Sequence, residues 1–159
     1  MIKKLLLSLG SNLGDRDHYL REAIKLLTAE FGAPVLQSGV FETDPVGVEG
    51  HPAYLNQVLV FDCSISIRQA FSVCINIETA LGRRGKGELL PRSIDIDLCS
   101  YGDEIVSDPD LVVPHPSMHL RRFVLEPLVA IWPEWQHPLL EKSASKLLQE
   151  LLILEEGRC

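Results

Sequence analysis

Pro91 to Tyr101 reads PRSIDIDLCSY, and the phase of its alternation decides how the chain folds. On a β-strand, residues i and i+2 point to the same face, about 6.5 Å apart along the chain. Ile94, Ile96 and Leu98 therefore turn toward a core, while Asp95 and Asp97 share the opposite face. A bare pair of aspartates on a strand is usually a solvated outer surface. Here the pair has cations nearby: Arg83, Arg84, Lys86 and Arg92 precede it in an otherwise acidic chain. Two carboxylates on a rigid strand, with no adjacent histidine or cysteine, suit a hard cation such as Mg²⁺. Such an ion takes one or two protein carboxylates and completes its shell with water and phosphate oxygens.

Working outward, Ile2 to Leu9 reads as a buried first strand ending at Gly10-Ser11-Asn12. A helix is expected from Arg16 to Phe31, because Leu20, Ala23, Ile24, Leu27 and Phe31 fall on one face and Gly32-Ala33-Pro34 stops it. Val35 to Glu42 and Leu55 to Cys63 read as strands joined by a long Pro/Gly loop. Ser66 is the expected N-cap of a second helix, with Ile67, Ala70, Phe71, Cys74, Ile77 and Leu81 as its stripe and Gly82 beyond its end. After the aspartate strand, Tyr101-Gly102-Asp103 turns into a short hairpin. Helical patterns then occupy roughly 117–131 and 143–154. The order β-α-β-β-α-β, with a helical C-terminal annex, predicts an α+β fold of ferredoxin-like plan: an antiparallel sheet with helices on one face, plus the C-terminal helices.

The 159 residues suit a single domain, with 46% hydrophobic and 23% charged residues. A formal charge of −7 argues against non-specific binding to nucleic acid or to an anionic membrane. No segment approaches the roughly 18 apolar residues of a membrane span. The leucine run near the N-terminus is too short for a signal peptide and reads as a core strand. Cys63, Cys74, Cys99 and Cys159 lack close ligand spacing and read as reduced thiols of a cytoplasmic protein. A monomer is expected.

The glycine- and arginine-rich stretch RRGKGELLPR suits phosphate binding, because guanidinium grips phosphate through two parallel hydrogen bonds. It contains no GxxxxGK[ST], and GSNLG after the first strand is not GxGxxG. Nucleotide binding must then use another design. His115, set between Pro114 and Pro116 and followed by Arg121 and Arg122, fits a second wall of such a site.

These residues together resemble the 6-hydroxymethyl-7,8-dihydropterin pyrophosphokinases of folate biosynthesis. The likeness runs through LGSNLGD, FETDPVG, YLN, PRSIDIDL and VPHPSMHLRRFVLEPL, nearly the whole chain. It implies the ferredoxin-like fold and a transfer of pyrophosphate from Mg-ATP to the pterin hydroxymethyl group, leaving AMP. Asp95 and Asp97 would hold two Mg²⁺ ions, with Arg83 and Arg92 also serving the chemistry. Glu78, Lys86, Arg92, Leu98, His115 and Arg121 would lie on the ATP side. The pterin would stack between Tyr54 and Phe123, with Asn56 reading its edge and Thr43, Pro45 and Val46 completing the pocket. The rival expectation is a non-catalytic ferredoxin-like module that binds a small ligand or RNA. An RNA reader of that shape shows aromatics and positive charge on its sheet; this chain places acids there.

Overall fold

The computed structural model describes residues 1–12, 15–43, 53–82 and 93–157. Pro45, Val46, Arg83, Lys86 and Arg92 lie outside them. Along the described chain run β1 (Lys3–Ser11), α1 (Arg16–Phe31), β2 (Leu36–Gln37), β3 (Phe41–Thr43), β4 (Tyr54–Cys63) and α2 (Ile67–Ala80). They continue as β5 (Asp95–Tyr101), β6 (Val106–Ser107), β7 (Val112–Val113), a 3₁₀ turn (Met118–Leu120), α3 (Arg122–Ile131) and α4 (Ala144–Glu156).

Local chemistry sets the helix ends. The Asp15 carboxylate accepts the His18 N–H at the start of α1, and Gly32, at φ +86°, ends it in a backbone region that disfavours side chains. Ser66 and Gln69 form a reciprocal capping box on α2. The Ser143 hydroxyl caps α4 by accepting the Lys146 N–H at 3.1 Å.

The main sheet has the order β2-β4-β1-β5, with β3 also paired to β4, and its pairings are antiparallel. Where one strand over 35–42 was expected, there are two short ones. Ser38 explains the break: its N–H donates to the Val58 carbonyl, and its hydroxyl accepts the Val58 N–H. A side chain thus takes over one bond of the ladder between β2 and β3. Strand β1 runs through Gly10 to Ser11, two residues beyond the expected end.

Both faces of the sheet are covered, by different helices. Leu5, Leu7, Leu9, Leu59, Phe61, Ile96 and Leu98 pack with α1 and α2. Leu6, Val58, Val60 and Cys99 pack with α3 and α4. Strand β5 carries a bulge: Leu7 pairs with Leu98 and Leu6 with Ser100, so Cys99 is passed over. Beyond it Tyr101 returns to the α1/α2 side. Its hydroxyl donates to the Ile65 carbonyl, and burial pushes its pKa up to about 12.

Candidate functional site

The C-terminal helices cover only part of their sheet face, and the predicted residues share the remainder. Asp97 pairs with Ser8, and Asp95 with Gly10. Across β1, Gly10 also pairs with Asn56 on β4. Directly opposed residues of antiparallel strands project to one face, so Asp95, Asp97 and Asn56 share a face of the sheet, the two carboxylates half-buried and Asn56 only 3% exposed. Ile94, Ile96 and Leu98 are buried on the opposite side, as the alternation in PRSIDIDLCSY requires.

Strand β5 ends the sheet and presents outward-facing N–H groups. One of them, on Ile96 between the two aspartates, donates to Glu78 Oε2 at 2.8 Å. Glu78, expected on the nucleotide's side, is 4% exposed and has a carboxylate oxygen on this backbone. The entry to β5 is fixed by Ser11 Oγ, which donates to the Ser93 carbonyl at 2.5 Å, and by Ser93 Oγ, which donates to Leu81 O at 3.0 Å.

Around Asn56, the side-chain amide donates to Thr43 Oγ1 at 2.7 Å. Strand β3 brings Thr43 alongside by pairing it with Tyr54. Tyr54 and Phe123 are both half-buried, as a ring that offers a face to a ligand must be. Phe123 stands in the first turn of α3, which packs on β4 and reaches β3. The Arg121 guanidinium lies over the Phe123 ring, 5.5 Å from its centre.

His115 follows the cis Val113–Pro114 bond and is held by its N–H, which donates to the Cys99 carbonyl at 2.8 Å. Its Nδ1 accepts the Ser117 N–H at 3.1 Å. Burial lowers its pKa; the Asp97 charge opposes that shift, and Arg121 adds to it. With Nδ1 accepting from Ser117, Nε2 is the nitrogen left to donate. Beside it, a cavity of about 270 Å³ is lined by Phe71, Asp97, Leu98, Asp110, Leu111 and His115, among others. Leu98 and His115 were expected on a nucleotide's side. Phe71 was read only as core, and Asp110 and Leu111 not at all; they come from separate segments that no local pattern links.

Residues 6–133 match the family model for 7,8-dihydro-6-hydroxymethylpterin-pyrophosphokinase. A *Bacillus subtilis* 2-amino-4-hydroxy-6-hydroxymethyldihydropteridine pyrophosphokinase is 38% identical over 126 residues, covering 79% of this chain and 75% of the relative. The *Methylorubrum extorquens* enzyme of the same name is 39% identical over 129 residues, covering 80% and 82%. The *Schizosaccharomyces pombe* folic acid synthesis protein fol1 is 33% identical, and the match spans 91% of this chain but only 20% of that longer protein. Among solved structures, *Plasmodium falciparum* HPPK-DHPS with pteroate superposes with a TM-score of 0.75 at 14% identity, over 99% of this chain and 44% of that one. At that identity the likeness speaks for the fold.

Proposed function

Because this chain belongs to the 7,8-dihydro-6-hydroxymethylpterin-pyrophosphokinase family, we propose that the face bearing Asp95, Asp97 and Asn56 is its active site. The protein is an ATP-dependent diphosphokinase of folate biosynthesis, moving pyrophosphate to the pterin hydroxymethyl group and leaving AMP. The observation that carries the assignment of the site is the shared register of Asp95, Gly10 and Asn56, which sets metal-type carboxylates and a ring-reading amide on one surface. The sheet order β2-β4-β1-β5 supports the ferredoxin-like reading of the fold.

The residues fit Mg²⁺. Asp95 and Asp97 offer hard oxygen donors on one strand face, and a guanidinium already lies 3.6 Å from Asp97. Among the described residues no cluster of three or more histidine, cysteine or acidic side chains is formed. An ion there would draw its other ligands from water and phosphate, the habit of Mg²⁺. Two bound ions would neutralise the triphosphate and make its β-phosphorus easier to attack.

The chain's own part is positioning. Tyr54 and Phe123 hold the flat pterin between rings, and Asn56, braced by Thr43, matches its polar edge, with Pro45 and Val46 closing the pocket. His115 donates from Nε2 to a phosphate oxygen. Arg121, Arg92, Arg83 and Lys86 supply positive charge along the triphosphate, and the apolar wall around Leu98 and Phe71 receives the nucleoside. Phosphoryl transfers need little covalent help, so placement and charge neutralisation carry the reaction. The test is incubation with Mg-ATP and the hydroxymethyl dihydropterin, followed by separation of the nucleotides. AMP formed in step with pterin diphosphate is expected. ADP as product, or no turnover, overturns the assignment. A non-catalytic module has no use for paired carboxylates beside such a cavity.

A further inference from the structure

We propose that Arg16 is a positioning residue for the acceptor pocket, holding from the helix side the two strand ends that carry Tyr54 and Thr43. This rests on the reading given above of Tyr54 and Asn56, with Thr43 as the brace of Asn56. Arg16 is the first residue of α1, next to the Asp15 cap. Its Nη1 donates to the Ala53 carbonyl at 2.5 Å and lies 3.8 Å from Glu42 Oε1. Ala53 immediately precedes Tyr54, and Glu42 immediately precedes Thr43.

The register shows why these ends need holding. Among the described residues, β1 makes its last rung with β4 at Ser11 and Leu55, and β3 makes its last at Thr43 and Tyr54. Tyr54 therefore sits past the reach of β1, on a rung shared with a strand of three residues. Strand ends of this kind open readily. The alternation then puts the guanidinium and the ligand on opposite sides. Leu55 is packed in the core beneath α1 and α2, and Glu42 is its partner across the ladder, so Glu42 turns toward α1. Thr43 and Tyr54, one residue away on each strand, turn to the other face, where Asn56 lies. A guanidinium suits this task, because its planar fork serves a carbonyl and a carboxylate at once. The Arg16 side chain is 29% exposed, which shields its bond to Ala53 from water more than a fully solvated ion pair would be. Without that grip the Tyr54 ring and, through Thr43, the Asn56 amide would have to be ordered by the ligand itself, at a loss of affinity.

The test is Arg16→Met, which keeps the apolar stem and removes the donors, beside Arg16→Lys, which restores the charge without the fork. Calorimetry titrates the hydroxymethyl dihydropterin and Mg-ATP separately, accompanied by steady-state kinetics and thermal melts. Arg16→Met should lose about tenfold in pterin affinity, the scale of one charge-assisted hydrogen bond. The acceptor KM should rise to match, while kcat at saturation and ATP affinity stay within about twofold. Arg16→Lys should recover part of the loss. A double-mutant cycle separates positioning from support of the fold: in a Tyr54→Ala background, Arg16→Met should cost clearly less pterin affinity than it does in the wild type. Unchanged pterin affinity, equal losses for both ligands, full additivity with Tyr54→Ala, or failure of Arg16→Met to fold would each overturn the inference. Tyr54→Ala alone separates the two levels. If it binds pterin like wild type, the reading of the pocket fails by itself; if it binds weakly while Arg16→Met binds normally, only the role of Arg16 fails.

Discussion

Arg121 Nη1 lies 3.6 Å from Asp97 Oδ2, and the same guanidinium rests over Phe123. One side chain thus bridges the carboxylate proposed for the metal and the ring proposed for the pterin. A cation already partners Asp97 on this face, and an incoming metal–phosphate complex would compete with it for the carboxylate while offering the guanidinium phosphate oxygens. Arg121→Lys keeps the charge but loses the planar fork. It should therefore retain part of the ATP affinity that Arg121→Ala loses, as read by titration with Mg-ATP.

Asp95→Asn and Asp97→Asn should each lower kcat by about a hundredfold or more, because an electrostatic partner of the transferring group is removed. Thermal melts should show an intact fold, since both residues are half-buried on an open face. Near wild-type turnover at saturating Mg²⁺ would remove them from the chemistry.

Tyr54→Ala, Phe123→Ala and Asn56→Ala should weaken pterin binding much more than ATP binding. Thr43→Val should follow the same pattern more mildly, at about 1 kcal/mol, the net worth of the hydrogen bond from Asn56. Calorimetry with each ligand separately distinguishes this from a general loss of fold, in which both affinities would fall together.

Glu78→Ala leaves the buried Ile96 N–H without its carboxylate acceptor, which costs about 1–3 kcal/mol. Glu78→Gln keeps an oxygen at that place and should recover most of the stability. Chemical denaturation of both variants measures the difference. Activity should track it, because this bond holds the backbone between the two aspartates.

His137 provides a pH test away from the site. Its Nδ1 accepts the N–H groups of Leu139 and Leu140, and it packs against His119 and Trp135. Burial, aided by the His119 charge, lowers its pKa. The unfolded chain then binds a proton more readily than the folded one. Stability is full above the unfolded value of about 6.5 and falls as pH drops toward the folded pKa. Asn at this position keeps an oxygen acceptor but does not titrate. His137→Asn should therefore flatten part of the loss in melting temperature between neutral and mildly acid pH, leaving the share contributed by His115.

Much of this was legible because it depended on neighbours in sequence. The phase of Ile94 to Leu98, the cap at Ser66 and the span of α1 are local matters of alternation, hydrogen bonding and period, and the structure repeats them. Contacts between distant segments were not legible. Ser38 breaks a strand through Val58, 20 residues away. Glu78 reaches Ile96 across 18 residues and reads in sequence only as one more acid on a helix. The cavity wall joins α2, β5 and the segment 109–116, and nothing in any one of them announces the others.

The bulge at Cys99 gives β5 two independent phases. Downstream, the strand can meet whatever Tyr101 and the following hairpin demand. Upstream, Asp95 and Asp97 keep their outward orientation regardless. Pairing Cys99 as an ordinary rung of the ladder, with no residue lost, would force the two halves into a single count. Either Tyr101 would be expelled from its core or both carboxylates would be driven into the leucines beneath α1 and α2. A slip joint in the strand thus separates the packing demands of its structural end from the orientation its chemical end requires.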